Sequence, residues 1–92
     1  MAQEDSVEVW LVERTYSDDE QNLIILTYAT PDGTQYYRRE RALTTSSDAR
    51  QTTAAVDAEP ENLGAVEDPD RREQYAAEAR RMAEENDPGD TI

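Results

Sequence analysis

The residues of this sequence best equipped for chemistry sit in one short run, Tyr36-Tyr37-Arg38-Arg39-Glu40-Arg41. Between Pro31 and Leu43 three Arg stand against Asp32 and Glu40, a local net charge of +1 in a chain whose total is -13. In an extended strand, alternation places Tyr37, Arg39 and Arg41 on one face and Tyr36, Arg38 and Glu40 on the other. Guanidinium groups recognise phosphates and carboxylates, and Tyr rings stack on bases, so the run could bind an anion or a nucleic acid. The overall negative field, the small size of the patch and the weakening of counterion release in concentrated salt oppose a polyanionic ligand. Two other readings use the same residues. The Arg could pair with surrounding carboxylates, or they could line a subunit contact, where Arg and Tyr concentrate. Trp10, the one Trp of the chain, is read as an anchor of the core or of an interface. The candidate interaction residues are therefore Trp10, Tyr37, Arg38, Arg39 and Arg41.

Catalysis is hard to build from the remaining residues. His and Cys are absent, which removes the usual general base, the thiol nucleophile and the soft metal ligands. Carboxylates are so numerous that a close pair carries little information. The tightest clusters, Asp18-Asp19-Glu20 and Asp68-Pro69-Asp70, lack the alternating ligands, sixth-position Gly and closing Glu of a calcium loop. The three Gly are widely separated, so there is no Gly-rich phosphate loop. The sequence predicts a protein that is not an enzyme, with no catalytic residue, no cofactor and no metal.

The charge balance describes a solvent. Twenty-two acidic residues face nine basic ones, and every basic residue is Arg. Such a surface repels itself at ordinary ionic strength, where the Debye length is about 10 Å, and is screened at molar salt, where it is about 3 Å. Arg keeps a charged fork suited to carboxylates without the long apolar stem of Lys. Composition thus points to a salt-rich cytosol. The N-terminus lacks the basic and apolar regions of a signal peptide, and the longest apolar stretch, Leu23 to Leu26, is far too short to span a bilayer. A cytoplasmic location is expected.

These residues must be positioned by a small core. At 92 residues, with twelve Ala and no Phe, the chain is read as a single domain spanning 1–92 with little large apolar material. Strands are expected at about 7–14, 23–30 and 34–43, from β-branched and aromatic content. Pro31-Asp32-Gly33 supplies the turn between the second and third. If Thr30 and Thr34 close it, Tyr28 faces Tyr36, while Tyr37, Arg39 and Arg41 share a face with Thr27, Ile25 and Leu23. A short helix is possible at 48–57, where Asp48 and Gln51 have capping-box spacing. Leu63 and Val66 are expected to tuck back onto the core. Asp68-Pro69 opens a helix over about 69–86, its stripe carried by Tyr75, Ala76, Ala79, Met82 and Ala83, and Asp87-Pro88-Gly89 stops it. A flexible acidic tail, 87–92, follows.

The fold class is α+β: a three-stranded antiparallel meander, then the C-terminal amphipathic helix. The first two strands carry apolar residues on both faces, so one face would stay bare under a single helix. That motivates a non-enzymatic, salt-adapted interaction or oligomerising module, a homodimer or the partner of another protein. The alternative is an anion or nucleic-acid binder working through the third strand. Taken together, the acidic and Lys-free composition and the segments Val7 to Arg14 and Leu23 to Arg41 resemble small haloarchaeal proteins of unknown function. That resemblance implies a salt-adapted cytosolic protein and assigns no residue a role.

Overall fold

The computed structural model describes residues 6–17, 23–42 and 52–92. Its elements are β1 (Val7–Ser17), β2 (Leu23–Ala29), β3 (Gln35–Ala42), β4 (Ala55–Ala58), a 3₁₀ turn (Pro60–Asn62), β5 (Gly64–Ala65) and α1 (Pro69–Glu85). The class is α+β as expected. The expected meander forms only the centre of a five-stranded antiparallel sheet of order β4-β1-β2-β3-β5. No helix of the described residues is long and apolar enough to cross a membrane.

The β2–β3 hairpin is tighter in chemistry and longer in loop than the sequence suggests. Thr30 N–H donates to the Gln35 carbonyl, leaving four loop residues, and Gly33 N–H donates to the Thr30 carbonyl. One carboxylate oxygen of Asp32 gathers three donors: the Thr30 hydroxyl at 2.6 Å, the Thr34 hydroxyl at 2.8 Å and the Thr34 N–H at 3.0 Å. The register follows from this loop, with Tyr28 opposite Tyr37, Thr27 opposite Arg38 and Leu26 opposite Arg39. It differs by one residue from the expected pairing, and a one-residue slip exchanges the faces. Tyr37 and Arg39 therefore share the face of Tyr28 and Leu26, while Arg38 joins Thr27.

Thr30's hydroxyl above all, then the amide and hydroxyl of Thr34, hold the Asp32 carboxyl down at about 2. Because its folded value lies below the unfolded one, its contribution is complete above about pH 4 and lost as pH falls through about 2. Asp32→Ala should cost about 1 kcal/mol at neutral pH, a modest figure because the group is exposed. Denaturant melts of the two proteins should converge as pH falls from about 4 to about 2. A gap that stays constant over that range would contradict the role assigned to the carboxylate.

Residues 55–58 are a strand and not part of the short helix expected at 48–57; positions 48–51 lie outside the described residues. The capping-box spacing loses to tertiary pairing. Val7 to Trp10 align with Ala58 to Ala55, and small side chains let β4 pack closely. The tail expected to be flexible is tied to the same region. Ala54 N–H donates to the Asp90 carbonyl, Ala55 N–H to the Pro88 carbonyl and Ile92 N–H to the Thr52 carbonyl, with Thr53 and Thr91 forming a β-bridge.

Helix α1 starts as its sequence dictates. Asp68 caps it by accepting from the Asp70 N–H at 3.0 Å, and Pro69 takes the first position, where no N–H is needed. At the other end Arg81 lies against Glu78 and Glu85, softening the conflict of acidic residues with the helix dipole. Ala79 packs with Trp10, Ala54 and Ala55, and Val12 and Met82 flank them. The helix therefore covers the sheet face that carries Trp10.

The opposite face is not bare, contrary to expectation. Val9, Leu11, Ile24, Leu26, Tyr28 and Ala58 are at most 4% exposed within the single chain, with Val7, Tyr37, Val56, Leu63 and Met82 packed against them. Chain reach explains part of this cover. In a flat sheet the outer strands β4 and β5 would lie about 19 Å apart, with Ala58 and Gly64 offset by roughly another 10 Å along the strands. The link between them includes a 3₁₀ turn and spans about 18 Å at full stretch. The sheet must therefore curl around the Leu26 face, drawing its two outer strands together.

Candidate functional site

Strands β1, β2 and β3 extend well past the part of the sheet that α1 covers. The uncovered part of the helix-side face becomes the floor of a cleft of about 550 Å³. Thr15, Ile25 and Thr27 form this floor, Glu13 and Arg38 flank it, and Tyr36, Arg71 and Tyr75 rise around it. Val66, Glu67 and Asp68 close one end. This link is fastened by Arg72, whose Nε–H donates to the Val66 carbonyl at 2.6 Å.

The strand register builds the floor. Glu13 aligns with Thr27, and Thr27 with Arg38. These three residues form a row of carboxylate, hydroxyl and guanidinium across adjacent strands. Glu13 reaches this face only because β1 bulges between Leu11 and Glu13. Val12 packs with Trp10 under the helix, and without the extra residue strict alternation would send Glu13 to the opposite face. Thr27 is 9% exposed. Tyr36 lies flat on the backbone of Gly64, where an added Cβ would come within 2.6 Å of the ring. Across the cleft the Arg71 guanidinium sits 6.0 Å from the centre of the Tyr75 ring. Tyr75 above all, and more weakly Asp68 and Glu13, holds Arg71 above its ordinary value.

The candidates named from sequence are dispersed by this fold. Trp10 is buried beneath α1, 6% exposed, and is a core residue. Tyr37 is half-buried and tilted against Tyr28, ring centres 6.0 Å apart. Arg38 flanks the cleft and pairs with Glu40 at 3.3 Å. Arg39 is exposed and belongs to the other face. Of Arg41 only the backbone is described, opposite Ile24. Glu13, Thr27, Arg71 and Tyr75 carry no sequence signal as site residues. Tyr75 reads from sequence only as part of the apolar helix stripe, and Arg71, one helical turn before it, as a solvated helix residue.

A second feature borders the cleft. β5 pairs with β3 only at Gln35 and Tyr36, although β3 continues to Ala42. Among the described residues, the outer edge of β3 from Tyr37 to Ala42 has no strand beside it.

No curated protein and no solved structure matches the chain. A family model matches residues 3–92, nearly the whole sequence, and the resemblance to proteins of unknown function is met at that level. The chain belongs to the family of unknown function DUF7967.

Proposed function

We propose that this chain is a non-enzymatic protein-interaction module of a salt-rich cytosol, which receives an extended acidic segment of a partner protein along the outer edge of β3. The observation that carries this reading is the edge from Tyr37 to Ala42, beside which no strand lies among the described residues. An unpaired edge offers a row of backbone donors and acceptors that an added strand can satisfy. Its sequence supplies the selectivity. Arg38, Arg39, Glu40 and Arg41 form a cationic strip in a chain of charge -13, so an acidic strand is attracted there and repelled elsewhere.

A second copy matches the strip less well than an acidic strand does. Antiparallel self-pairing centred on Arg39 leaves Arg39 opposite itself, although each Arg38 then meets a Glu40, and pairing centred on Glu40 sets like charges opposite one another. The homodimer expected from the sequence also loses its motive, since both sheet faces carry a core within one chain. A nucleic-acid site gains little support, because Arg38 and Arg39 lie on opposite faces and Tyr37 is engaged with Tyr28.

The test is amide hydrogen exchange in molar KCl with an alternating Glu-Val peptide as probe. Protection of the β3 amides from Arg38 to Arg41 is expected, and the triple change Arg38→Gln, Arg39→Gln, Arg41→Gln should abolish it. Unchanged exchange would sink the proposal. So would a dimeric mass by light scattering, or protection by single-stranded RNA in place of the peptide. Salt adaptation makes its own prediction: below about 0.5 M KCl carboxylate repulsion should lower the melting temperature. A melting temperature equal in low and molar KCl would contradict it.

A further inference from the structure

We propose that the cleft between α1 and the sheet binds a small zwitterion of the free amino-acid class, a function distinct from strand addition at the β3 edge although Arg38 borders both. The first observation is Thr27. It is nine-tenths buried and lies on the cleft floor, yet its hydroxyl has no hydrogen-bond partner among the described residues. A buried hydroxyl without a partner is costly, and replacing it with a group of the same shape is nearly neutral or stabilising. A protein keeps such a group where a ligand or a held water completes it.

The second observation is the bulge in β1. It spends an extra residue to put Glu13 on the floor beside Thr27, and bulges recur where a side chain must be re-aimed at a site. The resulting row of Glu13, Thr27 and Arg38 sets opposite charges on either side of the hydroxyl, with the flanking strands about 10 Å apart. Both signs recur around the rim, in Arg71 against Glu67 and Asp68. Three carboxylates repel a simple anion, and two guanidinium groups repel a simple cation. A molecule carrying both an ammonium and a carboxylate meets a partner for each, with Thr27 free to donate to the carboxylate. Tyr36, Tyr75 and Ile25 offer apolar surface to its side chain, and the volume lies within the range of small-molecule sites.

The experiment is a titration of the intact protein in molar KCl with each free amino acid in turn, followed by the amide resonances of Ile25, Thr27 and Arg38. At least one should give saturable shifts at millimolar concentration, while its N-acetylated amide, which lacks both charges, gives none. Thr27→Val should weaken that binding about tenfold, the worth of one hydrogen bond to a charged group, and leave the melting temperature of the free protein equal or higher. Glu13→Gln should weaken binding without disturbing peptide addition at β3, which separates this site from the edge. Absence of saturable shifts for every amino acid overturns the proposal. So does a lowered melting temperature of free Thr27→Val, which would show that the hydroxyl already has a partner.

Discussion

Gly33→Ala should destabilise the fold by about 3 kcal/mol, combining a strained backbone with overpacking. Gly33 has φ of 75°, in the left-handed region, where a Cβ costs roughly 1 kcal/mol. The larger part comes from its neighbour. An added Cβ would collide with the carbonyl oxygen of Arg72 and crowd the backbone nitrogen of Ala76 at 2.9 Å. These are helix backbone atoms that cannot swing away as a side-chain tip can. The turn and α1 would have to separate, which also loosens the packing of Ala79 on Trp10. Denaturant melts in molar KCl read the loss directly, and one smaller than about 1 kcal/mol would mean that the turn does not bear on the helix.

Trp10→Ala is the second large effect. Trp10 is buried among Ala54, Ala55 and Ala79, side chains too small to refill the space it would leave. Large aromatic truncations of this kind cost about 3–5 kcal/mol, a large fraction of the 5–15 kcal/mol typical of a domain. Ile25→Ala, on the half-exposed cleft floor, should cost about 1 kcal/mol. Circular dichroism melts give the comparison, since the substitution removes the fluorophore. Equal losses at the two sites would place Trp10 at the surface and contradict the packing.

The parts of this fold that announce themselves are those specified by neighbours in sequence. The hairpin is visible in Leu23 to Leu26 and Pro31-Asp32-Gly33. The helix is visible in Asp68-Pro69 at its start and Asp87-Pro88-Gly89 at its end, and its observed range of 69–85 follows those signals. Leu63 and Val66 pack inward as their isolation in a polar linker suggests. The hairpin register escapes sequence reading because it depends on three donors converging on Asp32, which selects a four-residue loop over three. β4 and β5 are four and two residues long, too short for a period, and they exist because β1 and β3 offer edges. The β1 bulge has no Gly or Pro to mark it. The cleft is illegible for the same reason: Glu13 and Tyr75 are brought together by topology alone. Arg38 was recognisable as unusual from local charge, but its partners were not.

The short link from β4 to β5 has a consequence in kinetic terms. The β2–β3 hairpin joins residues close in sequence and forms at little entropic cost. Pairing of Val7 with Ala58 instead closes a loop of just over half of the chain, and such contacts dominate the folding barrier. Since five residues tether β4 to β5, the arrival of one delivers the other to the opposite edge. The curl should therefore close as a single late event, and the two outer strands should lose hydrogen-exchange protection together when the molecule opens.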